Sequence, residues 1–134
     1  MLIMPNLFFA GRCEEALKFY ESAVGAKIEF IFYSREAPPG QQMPDPDSVM
    51  HARLRIGDSQ LCASDGCSDN NPTTRMSLFV SVKDADEGQR VFDALAVDGT
   101  VSMPWGKTFW AEGFGMLTDQ FGIGWMVNCE PAKV

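Results

Sequence analysis

The sequence predicts an α+β protein built from two copies of one β-α-β-β-β module. Three observations carry that prediction. Residues 7–28 (LFFAGRCEEALKFYESAVGAKI) and 80–101 (VSVKDADEGQRVFDALAVDGTV) repeat one pattern. Phe19 aligns with Phe92, Glu14 with Glu87, Leu7 with Val80 and Phe9 with Val82, and Gly25 meets Gly99 after a one-residue slip. Second, each copy passes from a short apolar run to helical spacing and then to strand-like alternation. Third, 134 residues suffice for one domain with a shared core, whereas each half alone would barely offset its chain entropy. A paired repeat of this kind places a cup between its halves, and function is expected there.

Met4–Phe9 reads as the first strand and Gly11-Arg12 ends it. Cys13, Ala16, Leu17, Tyr20 and Val24 then recur at helical spacing, with Glu14 and Glu15 in the first turn, where acidic charge suits the dipole. Gly25 is a natural stop. Ala26–Tyr33 is rich in β-branched and aromatic residues, a strand composition. Ser34–Asp47 holds Pro38, Pro39, Pro44 and Pro46 and is expected to be a loop, long enough to act as a lid. Val49–Ile56 alternates; Gly57-Asp58 turns it back into Gln60–Ser64. Asp65–Thr74 is a polar linker, with Asp65 expected to satisfy its own turn.

The second copy opens with a strand at Met76–Val82. Asp84 followed by Glu87 forms a capping box, and the helix it starts buries Ala85, Val91, Phe92, Leu95 and Ala96. Gly99 is expected to end that helix. Thr100–Met103 reads as a strand and Pro104–Gly113 as a loop carrying Trp105, Lys107, Phe109 and Trp110. Gly115–Thr118 and Gly124–Asn128 pair across an Asp119-Gln120-Phe121-Gly122 turn. The modules therefore span about 1–66 and 75–130 of a single domain.

Composition excludes several functions. Eighteen acidic residues against 11 basic ones give a net charge of −7. Phosphate-tracking surfaces need clustered Lys and Arg, so no nucleic-acid partner is expected. The acidic balance suits a soluble protein and tolerates cationic small molecules. No apolar stretch approaches membrane-spanning length, and Met1–Met4 lacks a basic leader, so no membrane partner and a cytoplasmic location are expected. The cysteines (Cys13, Cys62, Cys67, Cys129) show no metal-knuckle spacing, and are read as reduced. Cys67, in a loop, is the candidate reactive thiol.

Three stretches carry a family resemblance: PNLFFAGRCEEALKFYESAVGA at 5–26, VMHARLRIGDSQLCASD at 49–65 and MPWGKTFWAEGFGMLTDQFGIGWMVN at 103–128. Together they resemble the vicinal oxygen chelate superfamily of glyoxalase I, extradiol dioxygenases and bleomycin- and fosfomycin-resistance proteins. Within it the chain is similar to the PhnB-like group, often labelled demethylubiquinone methyltransferase-like. That label is a family name, and no Gly-rich nucleotide loop supports methyl transfer here. The resemblance implies the glyoxalase/bleomycin resistance-like fold, in which two βαβββ modules form curved mixed sheets around a cup, and a homodimer.

Catalytic members of the superfamily hold a divalent metal with four side chains, usually His, Glu or Gln. Counting from the motifs, the resemblance puts those positions at Pro5, Cys62, Ser77 and Met126. Only Cys62 ligates well; a thioether does not suit a hard ion. No metal and no other cofactor is therefore expected. His51, the single histidine, is the candidate catalytic base, against an inert place on a strand's polar face. By alternation it shares that face with Val49, Arg53 and Arg55. Two arginines there could grip an anionic group through paired donors. Candidate ligand-binding residues are His51, Arg53, Cys62, Lys107, Phe109 and Trp110, the aromatics being equally suited to a pocket or to core and dimer contact. Two functions remain: a metal-free binder of a small cationic or aromatic molecule, or a glyoxalase- or lyase-type enzyme using His51 or a noncanonical metal. A surface serving as an interaction module ranks third.

Overall fold

A computed structural model describes residues 4–65 and 77–131. The predicted linker beyond Asp65, Cys67 within it, and the start of the strand predicted at Met76 lie outside the described residues. The chain divides into two compact units, Met1–Asn70 and Asn71–Val134. In the first, strand β1 (Asn6–Phe8) leads to helix α1 (Cys13–Val24), then β2 (Lys27–Tyr33), β3 (Val49–Ile56) and β4 (Ser59–Ser64). In the second, β5 (Leu78–Val82) leads to α2 (Ala85–Ala96), then β6 (Thr100–Gly106), β7 (Gly113–Thr118) and β8 (Gly124–Cys129). The strand orders are β1-β4-β3-β2 and β5-β8-β7-β6. The first and last strands of each unit pair in parallel and the rest antiparallel. The α+β architecture of two four-stranded mixed sheets, each with one helix, is thus the predicted one.

Each helix buries one stripe. In α1 it is Cys13, Ala16, Leu17, Tyr20 and Ala23, with Ala23 in place of the predicted Val24. Leu54, Ala52 and Ala63 are fully buried in the first sheet, and α1 packs on β3 and β2. In α2 the buried residues are Gly88, Val91, Phe92 and Leu95, while Ala85 and Ala96 are only half-buried. The first helix ends as predicted, with Gly25 at φ 70°.

Several expectations change. Strand β6 runs on through Pro104 to Gly106 rather than stopping at Met103. It is an edge strand whose pairing with β7 slips between Met103 and Gly106, and an edge with a bulge is where a sheet tolerates a proline. The second helix ends at Ala96, and the left-handed residue beyond it is Asp98, at φ 58°, not Gly99. Gly99 is needed for closeness instead: a Cβ there would sit 2.5 Å from the Thr118 carbonyl oxygen. The predicted loop after β2 opens with a 3-10 turn at Ser34–Glu36, ahead of all four prolines. The Glu36 carboxylate holds that turn by accepting from the Tyr33 N–H at 2.8 Å.

The β2–β3 ladder carries two irregularities that alternation alone does not reveal. Phe32 pairs with His51 but Tyr33 with Val49, so β3 holds one extra residue at Met50. A bulge reverses the inside–outside parity of everything beyond it. Val49 therefore does not share the face of His51; it is fully buried, while His51, Arg53 and Arg55 are half-buried. The second bulge lies at Glu29 in β2, between the Ile28–Leu54 and Phe30–Arg53 pairs.

Candidate functional site

The first unit gathers three of the predicted site residues on one face of its sheet. Arg53 lies on β3, directly opposite Phe30 on β2 and Cys62 on β4. His51, two residues back, pairs with Phe32. Paired residues share a face, so the ladders add Asn6, opposite Cys62, and Phe8, opposite Ser64. This face turns away from the buried Ala52, Leu54 and Ala63. His51 and Phe30 have ring centroids 5.3 Å apart, and the Arg53 guanidinium carbon stands 5.4 Å from the Phe30 centroid.

Bulges explain why the aromatic members escaped sequence reasoning. Ile28, Phe30 and Phe32 have the same parity, but the extra residue at Glu29 turns only the latter two toward His51 and Arg53. Phe8, Phe30 and Phe32 are 54%, 39% and 38% exposed, a large apolar outlay for one sheet face. The repeated aromatic-apolar alternation in KIEFIFY was the available signal.

The two arginines of the face differ. Arg55 reaches Glu29 at 3.5 Å, and Glu29 also accepts from Gln60 at 2.8 Å. These contacts, the Gln60 hydrogen bond first and Arg55 second, hold the Glu29 carboxyl below the usual range. Arg53 makes no direct ion pair among the described residues, though its charge also helps to lower Glu29, and its Nε is buried without a hydrogen-bond partner. Cys62 is buried beside it.

Lys107, Phe109 and Trp110 sit together in the second unit, in the turn between β6 and β7. Thr108 Oγ1 accepts from the N–H groups of Trp110 and Ala111 at 3.3 and 3.1 Å, which shapes that turn. Phe109 stands 96% exposed against Trp110, centroids 4.8 Å apart, and Trp110 meets Phe114 of β7 at 5.4 Å. Lys107 is exposed. Trp105, by contrast, is structural: its indole fills the space over Gly88 and Gly113 and lies 6.0 Å from the Phe92 ring.

Ladder register gives the two units a common frame. His51 corresponds to Phe114, Arg53 to Met116, Cys62 to Met126 and Asn6 to Phe79. The same frame makes Leu78, one residue beyond Ser77, the counterpart of Pro5. Neither Leu78 nor Pro5 has a donor side chain. Among the described residues, no three of His, Cys, Asp and Glu are grouped so as to hold a metal ion.

Among the described residues, each unit has one buried aspartate that holds its own unit's backbone. The turn that Asp65 is expected to serve lies outside the described residues; among those described it accepts from distant N–H groups, Gly11 and Cys13 on Oδ1 at 2.8 and 2.9 Å, and Val49 on Oδ2 at 2.9 Å. Asp119 does hold its turn, accepting from Phe121 and Ile123, and also binds the Trp125 indole at 2.8 Å. The Cys13 thiol is pushed up to about 12 by burial and then by the charges of Asp65 and Glu14. Burial likewise raises Cys129. Cys13 is therefore no nucleophile near neutral pH.

Among the described residues, no helix is long and apolar enough to cross a membrane.

Comparison with known proteins agrees with this architecture. Over residues 2–128 the chain matches the family described as 3-demethylubiquinone-9 3-methyltransferase. It is 37% identical to protein YjdN of Escherichia coli K12, over 96% of this chain and 95% of that one. Protein PA1353 of Pseudomonas aeruginosa is similar in structure, with TM-score 0.88, 40% identity and coverage of 97% and 98%. A Bacillus cereus PhnB protein, titled a putative 3-demethylubiquinone-9 3-methyltransferase, follows at TM-score 0.79 and 31% identity, covering 96% of this chain and 99% of its own. The fold alone is shared with the fosfomycin resistance protein FosX of Listeria monocytogenes, at TM-score 0.68 and 10% identity, covering 98% and 93%. The chain belongs to the PhnB-like 3-demethylubiquinone-9 3-methyltransferase family.

Proposed function

We propose that this chain binds a small molecule on the face of its first sheet that carries His51, Arg53 and Cys62, without the divalent metal of the superfamily's catalytic members. The observation that supports it most is the buried, unpartnered Arg53 Nε among exposed phenylalanines. A charged donor beside apolar rings is a binding chemistry, since one fixes orientation and the other supplies area. The thioether of Met126 and the neutral hydroxyl of Ser77 are poor ligands for a hard divalent ion, which supports the metal-free part. In this reading the two units work as one domain, with modules about 1–66 and 75–130, paired as a homodimer in the cytoplasm. The exposed Phe109 and Trp110 suit such a pairing or a ligand wall beside Lys107.

A second reading, a glyoxalase- or lyase-type enzyme, draws on one arrangement: His51 and Arg53 share a face, which would set a base beside a fixed positive charge. Metal analysis and a broad thermal-shift screen of neutral, cationic and anionic compounds test the binder. Purified protein is expected to hold only substoichiometric nickel, zinc or manganese. Some screened compound should raise the melting temperature saturably, and Phe30→Ala with Phe32→Ala should abolish that rise. Tightly held stoichiometric metal overturns the metal-free part. A screen without any saturable shift, or one indifferent to Phe30 and Phe32, overturns binding at this face. Turnover abolished by His51→Ala would favour the enzyme.

A further inference from the structure

We infer that the ligand of this face is an anion, a flat carboxylate-like group carried on an aromatic body, with Arg53 as its anchor. The inference rests on the binding reading above and narrows it to a chemical class. It begins with an unsatisfied donor. A buried N–H without an acceptor costs about 1–3 kcal/mol, and native structures leave few of them. Among the described residues Arg53 Nε is the single buried side-chain nitrogen or oxygen in that state.

The protein does not supply the missing acceptor. Glu29 is the acid of this face, and it is engaged by Gln60 at 2.8 Å and Arg55 at 3.5 Å. Cys62, directly opposite on β4, offers only a weak sulfur acceptor. On the other flank lies the Phe30 ring, 5.4 Å from the guanidinium carbon. An aromatic neighbour steadies the cation and leaves its hydrogen bonding unmet. Nε–H and the Nη–H beside it form a fork whose spacing matches the two oxygens of a carboxylate. Arg53 is half-buried as a residue while its Nε is closed off from solvent, so the side chain has to turn for the fork to meet an incoming group.

Aromatic surface defines the remainder of the ligand. Phe30 and Phe32 lie on the neighbouring strand, and Phe8 shares the face by register through Ser64 and Cys62. A cationic ligand, which the net charge of −7 would attract at long range, meets a like charge at Arg53. A neutral ligand without an acceptor leaves Nε unmet. An aryl carboxylate answers both the fork and the rings.

Titration calorimetry of the full chain with 1-naphthoate, 1-naphthamide and acetate tests this. Naphthoate should bind saturably, with the amide and acetate each at least about tenfold weaker, the loss of one charge-assisted contact. Arg53→Gln should weaken naphthoate by a similar factor and leave the amide unchanged, its thermal melting confirming a folded variant. Arg53→Lys should recover part of the loss. Equal binding of acid and amide, or naphthoate binding indifferent to Arg53→Gln, overturns the anion assignment while leaving binding at the face intact. Absence of saturable naphthoate binding also overturns it; the broader screen then decides binding separately.

Discussion

In the second unit the helix begins on a residue that caps it: Asp84 accepts from the Glu87 N–H three positions on, at 2.8 Å. In the first, the helix begins on Arg12, whose side chain caps nothing. The N–H of its first residue, Cys13, is met from 52 residues away by Asp65, just past β4, which also accepts from Gly11 ahead of the helix. One topology thus solves the same problem twice, once locally and once across the sheet. The sheet faces diverge in parallel. Where the first unit sets His51, Arg53 and Cys62, the second sets Phe114, Met116 and Met126. Duplication preserved the lattice of positions, and chemistry diverged on top of it. In the proposed reading, the polar copy is the one suited to a charged ligand.

Removing the two caps gives the sharpest test of that contrast. Asp65→Ala strands three N–H groups, two of them buried, and should lower the unfolding free energy by about 3 kcal/mol or more in urea titrations. Asp84→Ala, an exposed local cap, should cost about 1 kcal/mol. Equal losses would mean that Asp65 is no more than a turn residue. Between these falls Gly113→Ala, whose added methyl meets the Trp105 indole. About 1–3 kcal/mol is expected for that overpacking, with a change in tryptophan fluorescence.

The smallest effect concerns pH. Cys13 ionises near 9 when unperturbed and at about 12 in the folded chain. The unfolded state therefore releases the proton first, and stability present below pH about 9 should decline as pH rises toward about 12. Tyr33, raised first by its hydrogen bond to Glu14, acts in the same direction. Cys13→Ala should flatten the alkaline limb of melting temperature against pH. An unchanged limb would show that Cys13 does not contribute to it.

Local signals made most of the fold legible. The helical stripe from Cys13 to Tyr20, the Asp84–Glu87 box and the Gly57-Asp58 hairpin each depend on residues a few positions apart. The features that misled depend on partners far along the chain. The long-range role of Asp65 was hidden because its three described donors lie in other elements. Pro104 looked like a strand breaker because its edge position is set by sheet order. Val49 looked like a neighbour of His51 because alternation does not reveal the extra residue at Met50. At the candidate site the polar members His51, Arg53 and Cys62 stood out by type, while Phe30 and Phe32 needed the bulge at Glu29 to turn them toward Arg53. Which of Arg53 and Arg55 stays uncommitted required the position of Glu29, 24 residues before the first of them.

The Asp65 tie also orders events during synthesis. When the ribosome has released α1, the carboxylate that completes its first turn has not yet been made. The first unit must wait for residue 65 before its opening helix is fastened, a long loop closure for a small module. Its twin carries Asp84 at the doorstep of its own helix and can begin winding at once. Newborn chains should therefore be more vulnerable to proteases in the stretch before β4 than in the corresponding stretch of the later copy.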